Sequence, residues 1–245
     1  MARGKIGKDL VSYLNNLYPD LGLVGKILKE AHQGRATATR RILDAGAAGT
    51  DLAYDGLTGA TSGAGSGNTP VVSDGTFLIG LNGAGAGYSQ ISANDNLAFT
   101  TTDKPFIEGR VKFTRGGAQA TKTFFGFCAA KGVDLQATAK HCVFKINDTG
   151  AALSLLICTK DGVITNTNIA TNYTIVNDTY YTFKIDASNL SDVKFYVNND
   201  LIPNISIDIS NYTGGYQPIF QQEKGAVAST ASSTSTYFRV ESDRN

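Results

Sequence analysis

The chain has 245 residues, with 22 Lys and Arg against 21 Asp and Glu, 27 Gly, three Cys, one Met and no Trp. A net charge of +1 gives no global balance that would advertise nucleic acid or a membrane surface, and no stretch approaches the ~18 apolar residues of a spanning helix. Three cysteines cannot all pair within one chain, which argues against a disulfide framework and fits a reducing compartment.

The charge is nevertheless split. Residues 1–45 carry eight Lys and Arg against four Asp and Glu, while the remainder is slightly acidic. The opening MARGKIGKDLVSYL has no apolar signal core and no small-residue cleavage site, so the sequence predicts a product of the cytoplasm. Ile6, Leu10, Leu14, Leu17 and Tyr18 then recur at helical spacing until Pro19. Asp20 can cap a second helix whose apolar face is Val24, Ile27, Leu28 and Ala31. A third helical stretch is expected from Ala36 to Ala45, with Arg40 and Arg41 beside Ile42 and Leu43 and Gly46 as its stop. Helices this short need a partner surface. Residues 1–46 are therefore expected to be a short helical docking arm, with Ile6, Leu10, Leu14, Leu17, Tyr18, Val24, Ile27, Leu28, Arg40 and Arg41 as the assembly-docking residues.

Residues 47–75 include GLTGATSGAGSGNTP and are expected to be a Gly/Ser/Thr-rich linker, the alternative being a large surface loop. From Thr76 the period becomes two. TFLIGLNG places Phe77, Ile79 and Leu81 on one face, and FIEGRVKF places Ile107, Gly109, Val111 and Phe113 opposite Phe106, Glu108, Arg110 and Lys112. HCVFKIN and LSLLICT flank NDTGAA, a hairpin signal, with Cys142 expected to face Cys158. YYTFKIDA, VKFYVNNDLI, YQPIFQQ and STYFRVES follow. Short strands with turn residues between them predict an antiparallel sandwich or barrel over residues 76–245.

The run GYSQISANDNLAFTTTDKPFIEGRVKF, residues 87–113, resembles the opening of laminin-G/concanavalin-A-like domains. YYTFKIDASNLSDVKFYVNNDLIP, residues 180–203, resembles that family's paired strands, with Asn199 where the family often has Gly, and the terminal TYFRVES resembles its closing strand. The resemblance covers roughly residues 74–242 and implies a mainly β, antiparallel jelly-roll β-sandwich. One departure is the missing Trp, which the family usually carries near the position of Arg110.

Glycosidases on this fold use carboxylates alternating along one strand. Here only Glu108 lies in such a strand, followed by Arg110 and Lys112, so Glu108 is expected to be structural and the chain not an enzyme. His32 and His141 lie far apart in the sequence, and no metal or other cofactor is expected. Calcium, common in the family, has Asn94, Asp95, Asn96 or Asn198, Asn199, Asp200 as oxygen donors, which also read as Asx turns. Candidate glycan-stacking aromatics are Tyr173, Tyr180, Tyr212 and Tyr216, with Tyr212 and Tyr216 in NYTGGYQP the most suggestive pair. A Gly/Thr/Asn-rich lectin-like sandwich without a catalytic cluster also resembles bacteriophage virion proteins. That implies a capsid decoration protein, made in the host cytoplasm, docked on a major capsid protein or neighbouring subunits and homo-oligomeric, with a trimer the expected state. The alternative is a host-glycan-binding fibre or appendage adhesin.

Overall fold

In a computed structural model, the described residues are 39–46, 58–62, 70–73, 76–82, 85–93, 99–101, 104–117, 120–132, 134–137, 140–225 and 230–244. They are mainly β, in two eight-stranded sheets. Strands are numbered in chain order. The first sheet holds β1 (Thr39–Gly46), β3 (Val71–Ser73), β4 (Thr76–Gly80), β7 (Phe106–Thr114), β12 (Tyr180–Asp186), β13 (Lys194–Val197), β14 (Asp200–Leu201) and β16 (Ser232–Arg244). Its order is β14-β13-β12-β7-β16-β4-β3, with β1 also on β16. The second holds β2 (Thr58–Ser62), β5 (Gly87–Ser92), β6 (Phe99–Thr100), β8 (Ala120–Cys128), β9 (His141–Thr149), β10 (Leu153–Lys160), β11 (Thr165–Ala170) and β15 (Gly215–Lys224). Its order is β11-β10-β9-β8-β15-β5-β2, with β6 also on β15. This is the predicted jelly-roll sandwich. Residues 41–242 form one compact unit; a second, of residues 1–40 with 243–245, falls almost entirely outside the described residues.

Alternation explains the core. Ile107, Val111 and Phe113 of β7, Phe183 and Ile185 of β12 and Phe195 of β13 point inward from the first sheet, and Phe125, Phe127, Phe144, Ile146 and Ile157 point inward from the second. The rings interlock. Phe125 meets Phe238 edge-on at 5.1 Å between centroids, and Phe144 meets Phe183 at 4.9 Å and Phe195 at 5.3 Å. Gly109 has no side chain because the Phe125 ring occupies that volume: a Cβ there would lie 2.5 Å from Cε2.

Four expectations are corrected. Thr39–Gly46, read as helix, is strand β1, so Arg40 and Arg41 sit in a sheet. Pairing with β16 supplies what local helical spacing could not, and tertiary pairing overrides so weak a propensity. The other eight docking residues lie outside the described residues. The 47–75 interval is no simple linker. Its Thr58–Ser62 pairs with β5 and its Val71–Ser73 with β4; the β-branched Thr58, Thr61, Val71 and Val72 are residue types that strands favour. The β9–β10 hairpin exists, but its register is one residue off the expected one. Cys142 opposes Thr159 and Cys158 opposes Val143. A one-residue offset turns the side chains to opposite faces, so Cys142 joins the central core and Cys158 a cluster on the other side of the sheet. Finally, Tyr212 and Tyr216 are fully buried and pack, tilted, against Phe127 at 5.8 and 5.0 Å between centroids. Burial pushes the Tyr212 phenol far up. Neither ring offers a face to a sugar.

Candidate functional site

The outer face of the second sheet carries polar side chains that an ordinary solvent-facing sheet would leave wet. Its residues follow from alternation. Phe124, Val143, Cys158 and Ile219 flank inward-pointing neighbours, and with Cys128 and Leu135 they form a second apolar cluster separate from the core. Cross-strand pairing then lays out the rows. One runs Asn147, Lys122, Glu223, Tyr88 from β9 to β5. The next runs Leu156, Lys145, Phe124, Gln221, Gln90 from β10 to β5. At ~4.8 Å per strand the stretch from Lys145 to Gln90 is about 14 Å long.

Glu223 is buried and its carboxylate is held from three directions. Lys122 Nζ donates to Oε1 at 3.2 Å, the Leu135 amide to Oε2 at 3.2 Å and Gln221 Nε2 to Oε2 at 2.9 Å. Leu135 opens a single 3-10 turn, Leu135–Ala137, that lies against this face. Burial pushes the Glu223 carboxyl up; Lys122 and the Leu135 amide only partly offset it, and the nearby Asp134 charge adds to it.

Lys145 is 4% exposed. Its ammonium donates to Gln136 Oε1 at 3.0 Å and to Asn168 Oδ1 at 2.8 Å. Both partners are placed by irregular backbone. Gln136 comes from the 3-10 turn. Asn168 sits where the β10–β11 register shifts, with Ile157 opposite Ile169 but Thr159 opposite Asn166. The extra residue is a bulge, and Asn168 takes φ +58° there. Bulges commonly re-aim a side chain next to a functional site; this one delivers Asn168 to Lys145. Burial lowers the Lys145 pKa.

Farther along the row, Gln90 is fully buried with neither amide atom hydrogen-bonded, and Gln221 Oε1 is also unpartnered. Buried amides in this state favour a ligand or water that satisfies them.

None of these residues stood out in the sequence. Lys145 lies between Phe144 and Ile146 and Lys122 between two threonines, so both resemble an ordinary wet face. Glu223, Gln221 and Gln217 lie in QPIFQQEK, whose clue was a polar run within a strand; every residue of 216–224 is buried. The sequence candidates fall elsewhere. Glu108 is on the outer face of the first sheet, where its Oε1 accepts from Tyr237 OH at 2.8 Å. Tyr180 is on that same face under Arg110, 4.8 Å from its ring centroid. Tyr173 packs edge-on to Tyr181 at 6.2 Å. Asn198 and Asn199 form a tight turn with φ +53° and +71°, and Asn198 Oδ1 accepts from the Thr182 amide at 2.9 Å. Asn94, Asp95 and Asn96 lie outside the described residues.

No protein-family model matches the chain, and no curated protein matches it. Solved structures do. The endo-β-1,3-glucanase of Pyrococcus furiosus superposes with a TM-score of 0.56 at 11% identity, over 82% of this chain and 94% of that one. The potassium-bound carbohydrate recognition domain of Emp46p superposes with a TM-score of 0.52 at 11% identity, over 79% and 92%. The κ-carrageenase of Pseudoalteromonas carrageenovora, in complex with an oligotetrasaccharide of κ-carrageenan, gives 0.50 at 11% identity, over 85% and 97%. The expectation of a non-enzyme is corrected by these likenesses: glycoside hydrolases share this fold, and a missing carboxylate pair on β7 excludes nothing on the other sheet. The virion setting and capsid-decoration role draw no support from them. What they establish is the fold, a concanavalin-A-like jelly roll shared by carbohydrate recognition domains and polysaccharide hydrolases.

Proposed function

We propose that this chain is a carbohydrate-binding sandwich that takes a polysaccharide segment on the outer face of its second sheet. The observation that carries this reading is the row Lys145, Phe124, Gln221, Gln90 with Glu223 and Lys122 beside it: polar groups held inward by a bulge and a 3-10 turn, with amide atoms left unsatisfied. Amides and charged groups suit a sugar, whose hydroxyls need donors and acceptors. Lys122 is the most accessible of these groups, its side chain 36% exposed while that of Glu223 is 5% exposed. The carbohydrate chemistry of the structurally similar proteins supports the same reading.

A glycan array probed with the full chain tests it. Glu223→Gln is expected to weaken the strongest hits at least tenfold, removing a hydrogen bond to a charged group worth about 1.5–3 kcal/mol, and Gln221→Ala several-fold, removing a neutral one worth about 1 kcal/mol. An array without hits, or hits that both variants retain in full, removes the reading.

One observation favours turnover as a second reading. A carboxyl pushed up by burial is suited to general acid catalysis, and Asp134 supplies a second carboxyl in its neighbourhood. Release of reducing ends from a bound polysaccharide, abolished by Glu223→Gln, distinguishes a hydrolase from a binding module.

A further inference from the structure

We infer that the glycan taken by this face is acidic, bearing a carboxylate or sulfate that seats on the Lys145 ammonium; this rests on the proposed carbohydrate site. Lys145 has three N–H donors, and two are used, both on neutral amide oxygens. Among the described residues no carboxylate touches it. Glu223, the acid within the two rows, is bonded to Lys122 instead. Of the two ammonium groups on these neighbouring strands, only that of Lys122 is bonded to a carboxylate.

A surface lysine ordinarily extends its ammonium into water and needs no partner. Lys145 is held down instead, by Gln136 from the 3-10 turn and by Asn168 from the left-handed bulge. A buried cation with no carboxylate bonded to it is costly, and here two irregular backbone segments fix its direction while leaving one donor unused. That is the arrangement of an anion receptor. Lys145 also ties the turn to the sheet, but that structural role needs no positive charge. Lys145→Gln and Lys145→Arg separate the two roles.

The experiment uses the full chain and a series on one backbone: a neutral β-1,3-glucan, its carboxymethylated form and its sulfated form, with polyglutamate as a sugar-free polyanion. Affinity is measured by calorimetry at low and high salt. The carboxymethylated or the sulfated glucan is expected to bind about tenfold or more tighter than the neutral one, the range of one charge-assisted hydrogen bond, with the advantage shrinking at high salt. The better of the two identifies the anion. Lys145→Gln is expected to reduce the charged ligand to the neutral level, and Lys145→Arg to keep the preference; melting curves confirm that both fold. Equal binding of neutral and charged glucans, or a preference that survives Lys145→Gln, overturns the acidic ligand and leaves the carbohydrate site standing. Binding of polyglutamate as tight as that of the charged glucans overturns both, as does failure of every glucan to bind together with an array free of hits.

Discussion

At the scale of single residues, two positions test the packing and the electrostatics separately. Gly109 is a core position with no room for a methyl group: its Cβ would lie 2.5 and 2.6 Å from the Phe125 ring and 3.0 Å from the Tyr237 carbonyl oxygen. Gly109→Ala is expected to destabilise by about 1–3 kcal/mol, the usual range for overpacking, read as a lower denaturation midpoint. In a Phe125→Leu background the added cost is expected to shrink, because the clashing ring is gone; an unchanged cost means that the backbone, not the ring, sets the limit. Glu223 tests the charge. Its folded pKa is raised by burial, so the folded state keeps a proton that the unfolded state releases near pH 4.3. Stability contributed at this position is therefore highest below that pH and falls as pH rises through the raised pKa. Glu223→Gln cannot titrate, so the stability difference between variant and wild type is expected to move in the variant's favour over that window. Urea titrations from pH 4 to 7 measure it, and a flat difference means that Lys122 has fully compensated the burial.

At the scale of elements, the Asn198–Asn199 turn between β13 and β14 makes two adjacent residues with the same letter behave differently. Both are left-handed, at φ +53° and +71°, as a two-residue hairpin turn requires. Asn198 also accepts a hydrogen bond from the Thr182 amide, so it ties the turn to β12; no such bond involves Asn199. Asn199→Gly is expected to stabilise by a few tenths to about 1 kcal/mol through relieved strain, read as a slightly higher melting temperature. Asn198→Gly is expected to be about 1 kcal/mol less stable than Asn199→Gly, because the lost bond offsets the same relief. Equal effects at the two positions would show that backbone strain alone governs the turn. This element was legible in the sequence because its chemistry is local. So were β4, β7, β12 and β13, each of which alternates cleanly between a core face and a wetter one. What was not legible depends on partners distant in sequence. β1 looked helical until β16 paired with it, and β2 looked like a linker until β5 did. The candidate site was hidden for the same reason. Lys145 is an ordinary letter in HCVFKIN, and only the Asn168 bulge and the Leu135–Ala137 turn make it a buried ammonium.

At the scale of the whole molecule, both sheets wait for the end of the chain. β15 lies between β8 and β5, and β16 lies between β7 and β4. The two strands that complete the sheets thus come last, and each joins a partner separated from it by more than a hundred residues, for example Ser233 opposite Phe113 and Gln221 opposite Gln90. Loops this long must close before the pairing repays their entropy, which makes the topology slow to fold and exposed to misassembly meanwhile. Removing residues 232–245 deletes the strand that separates β7 from β4 and takes Phe238 and Val240 out of the core, where they are 2% and 0% exposed. Losing a buried Phe alone costs about 3–5 kcal/mol, against a total stability of about 5–15 kcal/mol for a typical domain. It also leaves two ladder edges open in the middle of a sheet, the geometry that invites edge-to-edge association. The truncated chain is therefore expected to be insoluble or to lack a cooperative melting transition, whereas Phe238→Ala in the full chain is expected to fold with a lowered midpoint. Expression of both, followed by thermal melting and size-exclusion chromatography, decides the matter. A truncated chain that stays monomeric and melts cooperatively would mean that β7 and β4 find another partner, and that the C-terminal strand follows the closing of the first sheet instead of causing it.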